Sequence, residues 1–136
     1  MNTMNHREGI VRNKIWHLSP GEALEHCKKQ AILVDVREGY MNHFKMFDVP
    51  RIIYMPFTEF EEKYTELPFE KLLIFADAAG LNSKKAATLM LDKGYRNIAN
   101  VAGGLVEWER AGLPLRIDKS NRLTGSCMCQ LKPREK

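Results

Sequence analysis

Apolar residues fall along this chain in short unbroken runs, separated by longer stretches in which they recur every three or four positions. The runs read as strands and the stretches as amphipathic helices. The first run, residues 15–18, predicts a short strand. Ser19, Pro20 and Glu22 then supply a capping serine, a proline suited to the first helical position and a glutamate three residues after the serine. A helix follows to about Lys29, with Ala23, Leu24 and Cys27 on one face. Residues 31–36, AILVDV, form the strongest strand signal and are apolar on both faces apart from Asp35. Residues 38–50 show no period and read as loop, with a helical turn over 40–44. Residues 51–55 predict a further strand ended by Pro56, and Thr58 with Glu61 is a second capping-box pattern that opens a short helix closed by Pro68.

The central stretch is LLIFADAAGLNS, residues 72–83. Its first five residues are wholly apolar and predict a strand buried on both faces of a parallel sheet. Asp77, Ala78, Ala79, Gly80, Leu81 and Asn82 then lead to Ser83, where a helix begins and runs to Lys93 before Gly94 stops it in a left-handed conformation. Residues 95–101 are read as the last strand. Gly103 and Gly104 turn sharply into a helix whose Leu105 and Trp108 pack on the sheet, and Gly112 and Pro114 end it. Four or five short strands alternating with helices imply an α/β sandwich with a mainly parallel sheet.

Composition alters this picture little. The chain has 136 residues, enough for one domain with its own core. It contains no apolar run long enough to span a membrane. The N-terminus lacks the apolar core of a signal peptide, and three cysteines, an odd number, fit a reducing cytosol better than a disulfide framework. A cytoplasmic protein is expected. The net charge of +4 resides in the tail: residues 1–115 carry 15 basic and 15 acidic side chains, and residues 116–136 carry 6 and 2. A neutral body with a basic tail is not a phosphate-binding face, so no nucleic acid is expected as partner.

A strand, a tight loop and a helix N-terminus gather backbone N–H groups around one point, at the carboxyl end of the sheet where ligands sit in α/β folds. On spacing alone this is equally an ordinary strand-to-helix turn capped by Asp77 or Ser83. Asp35 and Arg37, two residues apart at a strand end, lie on one side and make either a charge pair or a backbone tether. The four histidines, His6, His17, His26 and His43, have no ligand spacing, so neither a metal nor a cofactor is expected.

Several features in order resemble a single rhodanese domain, the sulfurtransferase fold. They are Asp35-Val36-Arg37 at a strand end, the strand–loop–helix with seven residues from Asp77 to Ser83, the run KGYRNIANVAGG over residues 93–104, Trp108, and Gly112-Leu113-Pro114. The resemblance covers about residues 15–115. It implies a three-layer sandwich with a mainly parallel central sheet and helices on both faces. Residues 1–14 become an N-terminal extension and residues 116–136 a basic C-terminal tail.

In such domains the loop after the central strand holds a nucleophilic cysteine within Cys-x-x-Gly-x-Arg-Ser. Laid on that pattern, Asp77 takes the place of the cysteine and Asn82 that of the arginine, while Gly80 and Ser83 are kept. The usual Gly-His-Ile-Pro-Gly segment reads Phe47-Asp48-Val49-Pro50-Arg51. A carboxylate cannot hold a persulfide, and Asp77 would satisfy the N–H cradle itself and repel anions. The loop is expected to be self-plugged. The first reading is therefore a binding or regulatory module without thiosulfate sulfurtransferase activity at its loop. The second is a sulfur carrier that uses Cys127 or Cys129 of the tail, whose basic neighbours Lys132, Arg134 and Lys136 favour thiolates able to accept sulfur, form a mixed disulfide or offer half a soft-metal site. An ordinary tail with two exposed cysteines is the alternative. A phosphatase relation is set aside, because the loop has neither cysteine nor arginine. Expected partners are a sulfur donor or acceptor protein or a small anion.

Overall fold

A computed structural model describes residues 10–12, 15–38 and 45–117. The elements follow as β1 (Ile10–Arg12), β2 (Ile15–Leu18), α1 (Pro20–Lys29), β3 (Ile32–Asp35), β4 (Lys45–Phe47), β5 (Ile52–Tyr54), α2 (Phe57–Lys63) with a 3₁₀ turn (Tyr64–Glu66), β6 (Leu73–Ala76), α3 (Leu81–Asp92), β7 (Ile98–Val101), α4 (Gly104–Arg110) and β8 (Leu115–Ile117). The main sheet has the order β1-β2-β7-β6-β3-β5. Its five strands β2, β7, β6, β3 and β5 run parallel, and β1 joins antiparallel at the β2 edge.

The period-two alternation of the strands separates two cores. Leu33, Ile74, Ala76, Ala99 and Val101 face α1 and α4, where Ala23, Leu24, Cys27 and Trp108 are buried. Val34, Leu73, Phe75 and Ile98 face α2 and α3, against Phe60, Ala86, Ala87 and Met90. Both faces of the central strands are covered, which is why their sequences are apolar throughout. The result is a three-layer α/β sandwich with a mainly parallel central sheet.

The helix signals resolve unequally. α1 carries the full capping box: Ser19 Oγ accepts from Glu22 N at 3.2 Å and Glu22 Oε1 from Ser19 N at 2.9 Å. Thr58 does not cap α2. The helix starts one residue earlier at Phe57, and the Thr58 hydroxyl donates to Glu38 Oε1 at 3.0 Å. The acceptor comes from the loop after β3 and not from Glu61. α3 begins at Leu81, two residues before Ser83, and β7 is confined to Ile98–Val101. Tyr95 precedes that strand and donates its hydroxyl to Leu67 O at 2.9 Å.

The structure also contains a second small sheet, β4 paired antiparallel with β8, where the sequence indicates loop. Each of these strands is three residues long, too short for a period to register. β8 itself covers Leu115–Ile117. The helical turn expected over 40–44 lies outside the described residues.

The closing glycine–tryptophan–proline spacing has a physical basis. Gly103 (φ 80°) and Gly104 (φ 60°) both adopt left-handed conformations. A Cβ at Gly104 would fall 2.4 Å from Asp77 O, so only glycine lets α4 approach the loop after β6. Trp108 is fully buried, edge-on to Phe47 at 5.1 Å, and its indole donates to Pro114 O at 2.8 Å. Burial of such a side chain is worth about 1.5–3 kcal/mol.

Candidate functional site

The loop between β6 and α3 sits at the carboxyl end of the parallel sheet, fixed from both sides. β6 enters between β3 and β7. From α4, Leu105 N donates to Asp77 O at 2.8 Å and Val106 N to Ala78 O at 3.1 Å. Gly80 turns the loop into α3 with φ 98°. These constraints aim successive backbone N–H groups at one point.

Asp77 fills that point. One carboxylate oxygen accepts from Gly80 N. The other accepts from Asn82 N at 2.7 Å and Ser83 N at 3.1 Å. The side chain is thus the cap of α3, placed outside the helix, and its charge lies where the helix dipole favours an anion. Asp77, Gly80 and Ser83 are buried, Ala78 and Asn82 half-buried, and Ala79 and Leu81 exposed. Three N–H groups of its own loop thus donate to the two Asp77 oxygens.

A chain of polar side chains runs behind the loop. The Ser83 hydroxyl donates to Asn100 Oδ1, and Asn100 Nδ2 meets His17 Nδ1 at 3.2 Å. The register of β2 against β7 pairs His17 with Asn100. Both lie on the α3 side of the sheet.

Asp35 and Arg37 resolve as both a charge pair and a tether. Arg37 Nη2 is 2.8 Å from Asp35 Oδ2 and Nε 3.0 Å from Oδ1, while Arg37 N donates to Oδ1 at 3.1 Å. Both residues are buried, and the guanidinium lies over the Phe47 ring at 5.5 Å. They brace the end of β3 on the α1 and α4 side. Cys27 is buried in that same layer, and burial pushes its thiol up to about 12, which leaves it inert. Cys127 and Cys129 lie outside the described residues. Among the described residues no group of three or more His, Cys, Asp or Glu is placed to hold a metal ion.

The sequence profile of the family described as "Rhodanese-like domain" matches residues 19–111. The chain belongs to the rhodanese-like domain family. This rhodanese-like domain is similar to the thiosulfate sulfurtransferase GlpE of Haemophilus influenzae, 28% identical over 102 residues that cover 72% of this chain and 91% of that protein. Its fold matches a rhodanese-related protein from Thermoplasma volcanium with a TM-score of 0.68 at 26% identity, covering 75% of this chain and 98% of that one. The polysulfide-sulfur transferase homodimer of Wolinella succinogenes shares the fold with a TM-score of 0.68 at 23% identity, over 76% of this chain and 79% of that one.

The structure brings Asp77 together with the backbone of Gly80, Asn82 and Ser83, and it joins Ser83 to Asn100 and His17. Sequence reasoning misses the last two. Asn100 offers one signal, a polar residue inside the apolar strand run IANV. His17 offers none, because its partner is 83 positions away.

Proposed function

We propose that this rhodanese-like domain is a binding or regulatory module whose loop at residues 77–83 does not carry sulfur. The observation that carries the reading is the Asp77 carboxylate, bonded to three N–H groups of its own loop. Aligned on the motif that the family resemblance supplies, Asp77 occupies the position of the nucleophilic cysteine and Asn82 that of the arginine. Sulfur transfer from thiosulfate requires a thiolate to form a new S–S bond as sulfite departs with the electron pair of the old one. A carboxylate does not form that persulfide, and its charge repels the dianion from the cradle.

The relatives named thiosulfate sulfurtransferase favour a role in sulfur handling and give weight to a second reading. In it, Cys127 or Cys129 carries the persulfide in place of the loop. In both readings the protein works in the reducing cytosol, and its partner is a sulfur donor or acceptor protein or a small anion.

The deciding experiment is the intact mass of the full, reduced chain after exposure to thiosulfate, with peptide mapping and a Cys127→Ser/Cys129→Ser variant alongside. No added sulfur on the native protein is expected. One added sulfur mapped to Cys127 or Cys129, and lost in the variant, replaces the module reading with the carrier reading.

A further inference from the structure

Beside the 77–83 loop, on the α3 side of the sheet, lies a hollow of about 500 Å³, within the range of small-molecule sites. His17, Asn100 and Lys84 give it polar walls, and Leu81, Ala102 and Gly103 contribute apolar and backbone surface. Asp77 does not line it. We infer that this hollow binds a small organic monoanion, a carboxylate or sulfonate on a short apolar body.

The charge of the site follows from where each ionic group is committed. Asp77 gives its carboxylate to Gly80, Asn82 and Ser83. Glu107 stands over Gly103, where a Cβ would lie 2.1 Å from Glu107 Cγ, but its carboxylate pairs with Arg110 Nη1 at 3.1 Å. Lys84 is exposed and makes no ion pair among the described residues. Among the described residues, the Lys84 ammonium is the lining charge without an ion pair, and it favours an anion.

The floor is set by the buried polar chain. Because the Ser83 hydroxyl donates to Asn100 Oδ1, the amide turns Nδ2 toward His17 Nδ1. That contact holds the His17 ring against the hollow. Asn100 is 1% exposed on a strand otherwise made of Ile98, Ala99 and Val101. This buried amide, committed at one end to Ser83 and at the other to His17, positions the His17 ring at the carboxyl end of the sheet, in the place where α/β folds bind ligands. Leu81 is 64% exposed, and a short hydrocarbon body in the hollow covers its inner side and Ala102.

The inference rests on the module reading in one respect only, that Asp77 keeps anions out of the loop. The test therefore reads the hollow and not sulfur transfer, so either idea can fail alone. The ¹⁵N-labelled full chain is titrated with butyrate and with butanesulfonate, with n-butylammonium and formate as controls. Saturable shifts of the Leu81, Lys84, Ala102 and Gly103 amides and of the His17 ring are expected with both four-carbon anions. Butylammonium should give none, and formate should bind more weakly. Lys84→Gln, a surface change, should weaken the anions roughly tenfold, and Leu81→Ser should weaken butyrate more than formate. Absence of saturable shifts, shifts that map elsewhere, equal binding of butylammonium, or an unchanged affinity in Lys84→Gln overturns the inference.

Discussion

Removing the Asp77 carboxylate tests what holds the loop together. In Asp77→Ala, the N–H groups of Gly80, Asn82 and Ser83 lose their acceptor. The Asn82 amide is half-buried and can rehydrate, whereas Gly80 and Ser83 are buried. An orphaned buried donor costs about 1–3 kcal/mol. Two sheltered donors, less what relaxation of Ala78 and Ala79 restores, give a loss of about 2–4 kcal/mol. Asp77→Asn keeps one acceptor oxygen but turns an amide donor toward the remaining N–H groups, so a loss of about 1–3 kcal/mol is expected. With a urea slope of about 2 kcal/mol/M, the alanine variant should show a midpoint lower by roughly 1–2 M at unchanged slope. A second readout separates a filled cradle from an ordinary capping effect. Thiosulfate or sulfate should raise the midpoint of Asp77→Ala, whose N–H groups then receive the external anion, more than it raises the native midpoint. A ligand at 100 times its Kd adds about 2.7 kcal/mol. A loss below about 0.5 kcal/mol in Asp77→Ala, or equal stabilisation of both proteins by the anion, would refute the argument.

Two further predictions concern the scaffold. Asp35→Asn removes the buried carboxylate that pairs with the Arg37 guanidinium, whose side chain is 2% exposed, and should cost about 3–5 kcal/mol by urea or thermal unfolding. Replacing both members with apolar residues should recover much of that loss, and a neutral single variant would contradict it. The Cys27 thiol, at 9.0 in an unfolded chain and about 12 in the folded one, makes stability fall on the alkaline side. Below pH 9 both states are protonated and its contribution is complete. Above it the unfolded thiol ionises first, so stability should drop by about 1.4 kcal/mol per pH unit until the folded thiol follows. Tyr54 and Tyr95, raised mainly by burial from 10.0, add to the decline only beyond pH 10. Urea midpoints at pH 8, 9 and 10 for native protein and Cys27→Ala check this: the variant should lose the slope between 9 and 10.

The fold was legible because its signals are local. The apolar runs of β3 and β6, the Ser19 box and the Gly103–Gly104 turn each declare themselves within a few residues. β4 and β8 did not, since each is three residues long and makes sense only against a strand some 70 positions away. The Thr58 pattern misled for a related reason. A capping box assumes that the helix finds its partner within its own first turn, and here the acceptor is Glu38 from another loop. At the site, the Asp77 cap could be anticipated because its donors lie three, five and six residues ahead. The link from Ser83 through Asn100 to His17 crosses 17 and then 83 positions, and only the strand order brings it together.

That contrast bears on the proposal that one residue changes what the loop does while the fold persists. The donors of the cradle belong to the backbone, and their aim is set by β6, by the left-handed Gly80 and by the close approach of Gly104. No side-chain substitution at position 77 removes them. A loop of this shape therefore always presents N–H groups that need an acceptor, and the choice is only whether the acceptor is external or built in. Supplying a carboxylate from the loop itself satisfies the donors, caps α3 and closes the position to other anions in a single step. The sheet, both cores and the Trp108–Pro114 contact are untouched by that exchange. On the proposed reading, the loop gives up sulfur transfer while the scaffold is kept, and binding uses surface that Asp77 does not occupy.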